Sequence, residues 1–263
     1  MWKQTKFLEN KLKEYYKAKS EPRKREKLSA SDTGCVLHRQ LKLWKVKPDR
    51  EQTWNEAMTF DFGNMVHWFL QKRLQDMEIL ELKEVELEDD LTIGHADALV
   101  RENGKLVPYE FKSIKDYGLD RIVQEGKPQD NHIKQLIGGY FRLLKKLKLE
   151  NLADYAKIVY LAKCFDDSHR GILYKGKDLG EERTVLRFVE FAGEYDPNLA
   201  TKVEEENKII QDAVKAHEPL SCSEWDTTYH RDERWNQYLT WCAATPDENK
   251  QRLNLLLLSK EVK

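Results

Sequence analysis

Hydrophobic positions along this chain change period more than once. Between residues 60 and 77, Phe62, Val66, Phe69, Leu70 and Leu74 recur at helical spacing and predict a helix with a buried stripe. Near residue 83 the period drops to two. KEVELE alternates, and TIGHADALV and KLVPYEFKS are strand-like runs joined by Asn103-Gly104. Asn-Gly between alternating runs signals a two-residue type I′ hairpin, because both central residues of that turn need positive φ. Helical spacing returns over 129–148. DYAKIVYLAKCF then reads as a buried strand, 171–191 as further strand and turn, and 198–216 as a charged helix. Upstream, 1–27 reads as a basic amphipathic helix. A second helix is predicted from an N-cap at Ser31 through CVLHRQLKLW, until Lys47-Pro48-Asp49 breaks the pattern. The tail, with Trp225, Trp235 and Trp241, fits no single period. This order predicts an α/β fold with a central mixed β-sheet flanked by helices. Three regions are expected: a basic helical 1–50, a core over 51–195, and a helical 196–263 packing on that core.

The Asn103-Gly104 turn also predicts a register, in which each residue faces the one whose number completes 207. Asp97 then faces Glu110 and Lys112 faces His95, all on one sheet face. Ala96, Ala98, Val100, Val107, Tyr109 and Phe111 take the other face and look like core. Two carboxylates facing each other across a strand pair repel. A hard divalent cation such as Mg²⁺, which takes oxygen ligands, would compensate, with Lys112 beside it. A solvated sheet face balanced by Lys112 and Arg101 is the alternative reading, and a bulge would move one strand's side chains to the other face.

Composition changes this picture in two ways. With 263 residues, 40% hydrophobic and 10% aromatic, the chain can bury a real core. Its net charge of −1 conceals an uneven distribution: 15 basic and 6 acidic residues in 1–50, against 3 and 12 in 51–100. Overall neutrality therefore does not exclude a polyanion partner. No apolar run approaches the roughly 18 residues of a membrane span, and the opening has no secretory pattern. Cys35, Cys164, Cys222 and Cys242 are widely spaced, with no CxxC pair. A soluble, reducing, cytoplasmic setting without membrane association is expected. No GxxxxGK[ST] occurs, so any unwinding calls for a helicase or recombination partner.

At these residues the chain resembles a known family. GHADALV, a turn and YEFKS resemble the D…ExK core of the PD-(D/E)XK nuclease superfamily, and more specifically the RecB-like exonucleases associated with CRISPR systems or encoded by phages. LSASDTGCVLHRQLKLW resembles that family's N-terminal helix segment. FDFGNMVH resembles its G-x-x-x-H helix, carried by Gly63 and His67, and HIKQLIGGYFRLL its Q-x-x-x-Y helix. The four pieces fall in the family's order across roughly residues 29–148. The resemblance implies a restriction-endonuclease-like core and a deoxyribonuclease dependent on Mg²⁺ or Mn²⁺, acting as an exonuclease or end-processing enzyme. It implies that His67, Asp97, Glu110 and the carbonyl of Phe111 ligate the metal, and that Lys112 positions the attacking water. Gln135 and Tyr140 would complete the catalytic set. Phosphodiester hydrolysis is consistent with this, since it needs an activated water and stabilisation of developing negative charge. A nucleic-acid-binding or complex-assembly subunit with weak or no catalysis is the alternative; the intact Asp97, Glu110 and Lys112 speak against it.

Two features depart from the family pattern. Gln135 and Tyr140 are five residues apart instead of four, which places them about 140° apart around a regular α-helix. Gly138-Gly139 lies between them and could allow a one-residue π-bulge. Many relatives carry an iron–sulfur cluster on one early and three late cysteines. Here only Cys222 and Cys242 are late, and cluster ligation normally takes four cysteines. No iron–sulfur cluster is expected; Cys164 reads as a small buried residue, and Trp225, Trp235 and Trp241 are expected to pack the tail. For DNA, as single strands or duplex ends, Arg23, Lys24, Arg25, Lys27, Arg39 and Lys42 are the expected phosphate contacts. Tyr15, Tyr16 and Trp44 lie among them for base stacking. Polarity, strand preference and oligomeric state stay open.

Overall fold

The structure is a computed structural model that describes residues 7–19, 26–162, 188–224, 226–232 and 236–261. Arg23, Lys24, Arg25, Cys164, Trp225, Trp235 and most of the 171–191 stretch lie outside the described residues. The chain divides into two compact units, one of residues 1–62, 90–92 and 204–263, the other of 63–89 and 93–203. This differs from the expected boundaries near 50 and 195, because the N-terminal and C-terminal regions share a unit.

The first unit holds α1 (Phe7–Lys19), a two-residue strand β1 (Leu28–Ser29), α2 (Val36–Leu43) and the start of α3 (Trp54–Asp76). Its core joins Cys35, Leu37 and Leu41 to Tyr238, Trp241 and Cys242, burying apolar faces that are nearly two hundred residues apart in sequence. Helix α2 starts later than predicted, with Cys35 and not Ser31 at its N-cap. Ser31 instead bonds to Ser29, and the Asp32 N–H donates to the Ser29 carbonyl in a turn. Helix α3 starts earlier than predicted, where Thr53 and Glu56 cap each other. The Thr53 N–H donates to the Glu56 carboxylate at 2.8 Å, and the Glu56 N–H donates to Thr53 Oγ1 at 3.3 Å.

The second unit is built on a mixed sheet. Its strands are β2 (Leu80–Glu88), β3 (Thr92–Glu102), β4 (Lys105–Ile114), β5 (Tyr155–Ala162) and β6 (Phe188–Glu194). Each pairs with the next, antiparallel except for the parallel β4–β5 pair. A parallel pair requires a long crossover. Here it runs through α4 (Asp116–Glu125), α5 (Asp130–Ile133), a π-helix (Lys134–Phe141) and α6 (Arg142–Lys146). The hairpin turn is as predicted: Asn103 and Gly104 have φ of 47° and 81°, and pairing from Ala98–Tyr109 to Glu102–Lys105 follows the expected register. The face predicted as core packs as Ala98, Val100, Val107, Tyr109 and Phe111, covered by Leu70 and Leu74 of α3. The predicted stripe of α3 is only partly buried. Val66 is buried, whereas Phe62 and Phe69 are 37% and 38% exposed. Phe69 is about 100° around the helix from Leu70, too far to share its contact face.

Candidate active site

Strand β3 brings Asp97 to the edge of the paired region. One carboxylate oxygen, Oδ2, accepts the Phe111 N–H at 2.6 Å, so the Asp97 side chain takes the place of the next ladder bond. Pairing between β3 and β4 therefore stops at Ala98–Tyr109. The predicted facing of His95 with Lys112 does not form: His95 pairs with Glu86 of β2 and is exposed. The other Asp97 oxygen lies 3.3 Å from Nδ1 of His67, one turn before Leu70 and two before Leu74 on α3. The Gly63 position lets that helix approach β4 closely, since a Cβ there would stand 3.1 Å from Ser113 Oγ.

Glu110 and Lys112 alternate along β4 and reach the same side. Glu110 is 2% exposed. Its Oε1 accepts Lys112 Nζ at 2.5 Å and Gln135 Nε2 at 2.7 Å. Lys112 also donates to Gln135 Oε1 at 2.8 Å, closing a three-residue ring of bonds. The second oxygen of Glu110, Oε2, is buried and has no hydrogen-bond partner among the described residues. Burial first and the Asp97 charge second push the Glu110 carboxyl up to about 8, with Lys112 opposing them. For His67, burial alone would lower the pKa, but the bond to Asp97 and the charges of Asp97 and Glu110 outweigh it, and the imidazole is raised.

The helix after the core is where the structure departs most from regular geometry. Lys134–Phe141 form eight residues of π-helix, more than the one-residue bulge that Gly138-Gly139 foreshadowed. Bonds of i→i+5 type stack residues five apart. Gln135 Nε2 accordingly donates to Tyr140 Oη at 3.0 Å, and both side chains are buried. Tyr140 thus supports Gln135, which in turn holds Glu110 and Lys112. Gly138 is needed for close approach, because a Cβ there would run into Val203.

Two further residues join the site that the sequence motifs did not single out. Gln71, one turn after His67, donates to the Asp97 carbonyl at 2.9 Å and to Glu84 at 2.6 Å. Glu84 lies on β2 with φ of 47°, and its carboxylate, with His67 and Asp97, offers donor atoms all within 4.8 Å of one another. The i,i+4 spacing of His67 and Gln71 was a legible signal. Glu84 had none, since it sits among the similar acids of an alternating strand.

This donor set suits a hard divalent cation. Carboxylates of Asp97 and Glu84 gather with one imidazole as oxygen-rich ligands; Glu110 stands outside that group, and its buried Oε2 is an acceptor that a cation would satisfy. Phe111 contributes its N–H to Asp97 while its ring packs in the core.

The expected DNA contacts fare differently. Arg39 is 3% exposed and bonds to Glu206 and Asn207, so it is an internal ion pair and not a phosphate contact. Trp44 packs against the first unit's core and donates to the Val214 carbonyl at 3.4 Å, which removes it from base stacking. Lys42 is half-buried against Asp32 at 2.6 Å, and Lys27 is half-buried. Tyr16 donates to Asp61, while Tyr15 is exposed. No helix among the described residues is long and apolar enough to cross a membrane.

No protein-family model matches the sequence, and no curated protein does either. Several solved structures are similar. One is an alkaline exonuclease, LHK-Exo, from Laribacter hongkongensis, at TM-score 0.49 and 14% identity over 77% of this chain and 92% of that one. The same protein in complex with dAMP gives 0.47 and 15%, over 72% and 88%. A phage-related exonuclease from Haemophilus somnus 129PT gives 0.39 and 12%, over 72% and 94%. At such identities each residue's role must come from this chain's own geometry.

Proposed function

We propose that this chain is a divalent-metal-dependent deoxyribonuclease, acting as an exonuclease or end-processing enzyme on single-stranded or duplex DNA ends. The observation that carries the reading is Glu110: a buried carboxyl group with Lys112 and Gln135 on one oxygen and, among the described residues, no hydrogen-bond partner on the other. A structural ion pair has no use for that orphaned atom, which costs stability unless something binds it.

Asp97, Glu110, His67 and Glu84 would hold Mg²⁺ or Mn²⁺. When bound, such an ion supplies a nucleophile at neutral pH and neutralises charge that develops on the phosphate. Lys112 presents an ammonium beside Glu110, placed to orient a water and to face the scissile phosphate. Gln135 keeps the ammonium aimed by accepting a hydrogen bond from it, and Tyr140 fixes Gln135. Gln71 holds the Asp97 backbone, so the Asp97 side chain stays aligned with His67.

Incubation with end-labelled linear and circular DNA, single- and double-stranded, in Mg²⁺ or Mn²⁺ tests the proposal. Cutting of linear DNA that stops with EDTA is the expected result. Cutting of circles as fast as linear DNA overturns the end-dependent part. If no substrate is cut, the enzyme reading fails and a DNA-binding subunit of the same fold takes its place.

A further inference from the structure

The first unit gathers a second set of ligand atoms, distinct in chemistry from the carboxylate site. Cys35, at the N-cap of α2, places its Sγ 3.3 Å from that of Cys222, 187 residues later. Cys35, Cys222 and His230 offer donor atoms within 4.8 Å of one another, and so do Cys35, His38 and Cys242. His38 Nε2 is 3.1 Å from Cys242 Sγ. Cys35, Cys242 and His230 are buried. Three thiols and two imidazoles meet around Cys35, all supplied within one unit. Along the chain these cysteines are widely spaced and form no CxxC pair.

We propose that Cys35, Cys222, Cys242 and His230 hold a single zinc ion in a closed structural site. Soft thiolates with one imidazole are the donor set of Cys₃His zinc centres, which are four-coordinate and tetrahedral. With Zn–S near 2.3 Å, ligand atoms around one ion stand about 3.8 Å apart. The 3.3 Å separation of Cys35 and Cys222, and the 4.8 Å spread within each of the two groups that share Cys35, suit that spacing. A polynuclear iron–sulfur cluster spreads its thiolates over separate irons and needs them farther apart; it also normally takes four cysteines.

His230 is the fourth ligand because its other nitrogen is already oriented. Nδ1 lies 3.2 Å from Thr227 Oγ1 and 3.3 Å from Glu224 Oε2, the outer support that metal-bound histidines typically have. Coordination then runs through Nε2. His38 acts as a positioning residue: its Nε2 lies 3.1 Å from the Cys242 sulfur, where an N–H would stabilise a metal-bound thiolate. The ion ties the start of α2 to the segment 222–242, and with four protein ligands it leaves no open position for catalysis.

The full-length protein, purified without chelator or added metal, is analysed for zinc, iron and acid-labile sulfide. About one zinc per chain and no sulfide is expected. Iron with sulfide, absence of any metal, or a Cys35–Cys222 disulfide by thiol counting each overturns the proposal. Cobalt substitution is expected to give the visible bands of a tetrahedral thiolate complex; an octahedral spectrum refutes it. His230→Ala is expected to lower zinc affinity at least about tenfold, while His38→Ala keeps the ion bound. The reverse order overturns the ligand assignment. Should the variants fail to fold, a mercurial titration of the native protein replaces them: zinc release that tracks modification of three thiols supports the site, and release without it refutes the site.

Discussion

Gln135 and Tyr140 bond directly to each other at 3.0 Å although they are five residues apart in one helix. A regular α-helix would turn them away from each other by about 140°. The π-helix of Lys134–Phe141 reduces that offset enough for the two to bond, and Gln135 stands against both Glu110 and Lys112.

Gln135→Ala is therefore expected to act on both partners at once. Lys112 and Glu110 each lose a buried hydrogen bond, and DNA cleavage falls about 10–100-fold, as for supporting residues around a metal site. Tyr140→Phe keeps the ring in place and leaves both bonds from Gln135 to Glu110 and Lys112, so its effect is smaller. Single-turnover cleavage rates for the two variants check the order; Tyr140→Phe as damaging as Gln135→Ala contradicts it.

Lys112→Ala is expected to lower kcat by about 10²–10³-fold, the range for removing a group that stabilises developing charge. DNA affinity changes little if the ammonium acts mainly on the transition state. Cleavage rates and binding by anisotropy separate the two effects. A change confined to affinity assigns Lys112 to DNA binding.

Glu110→Gln tests whether the buried carboxylate exists for a cation. The substitution also breaks the ion pair with Lys112, so the metal-free variant should unfold at a lower temperature than the parent. The parent should gain about 2.7 kcal/mol when Mn²⁺ is present at a hundredfold above its Kd, and the variant little or none. Thermal unfolding with and without Mn²⁺ measures both. Equal stabilisation of the two proteins shows that Glu110 is not a ligand.

The Thr53–Glu56 cap gives a pH dependence with a definite sign. The Arg50 guanidinium, with help from the Thr53 N–H and hydroxyl and against partial burial, holds the Glu56 carboxyl down at about 2. A depressed acid stabilises the fold above its ordinary value near 4.5, and that stability is lost as the pH falls from there toward about 2. Glu56 is partly solvated, so Glu56→Ala is expected to cost only about 1 kcal/mol at pH 7. The difference between parent and variant should shrink below pH 4.5 and vanish only below about pH 2. Urea unfolding of both across that range checks it, and a constant difference rejects the charge-based account.

Much of this chain's local structure was legible from residue order. Asn103-Gly104 required a turn with two positive φ angles, and that turn placed Ala98 opposite Tyr109 and sent Val100, Val107 and Phe111 to the core. It also put Glu110 and Lys112 on one side of β4. The five-residue spacing of Gln135 and Tyr140, with two glycines between them, marked a break from α-helical geometry. These are short-range effects, governed by backbone sterics and by the period of side chains along an element.

What the sequence could not determine depended on which surfaces meet. Arg39 reads like a DNA contact until Glu206 and Asn207, over 160 residues away, enclose it. Phe62 and Phe69 look like core until the sheet takes only the Leu70–Leu74 side of α3. Glu84 is one acid among many in β2, and only its approach to His67 and Asp97 sets it apart. Cys35, Cys222 and Cys242 show no metal spacing along the chain, yet they meet in one core. Periodicity describes which side of an element a residue occupies; only tertiary packing decides what that side faces, because burial and ligand geometry arise from residues distant in sequence.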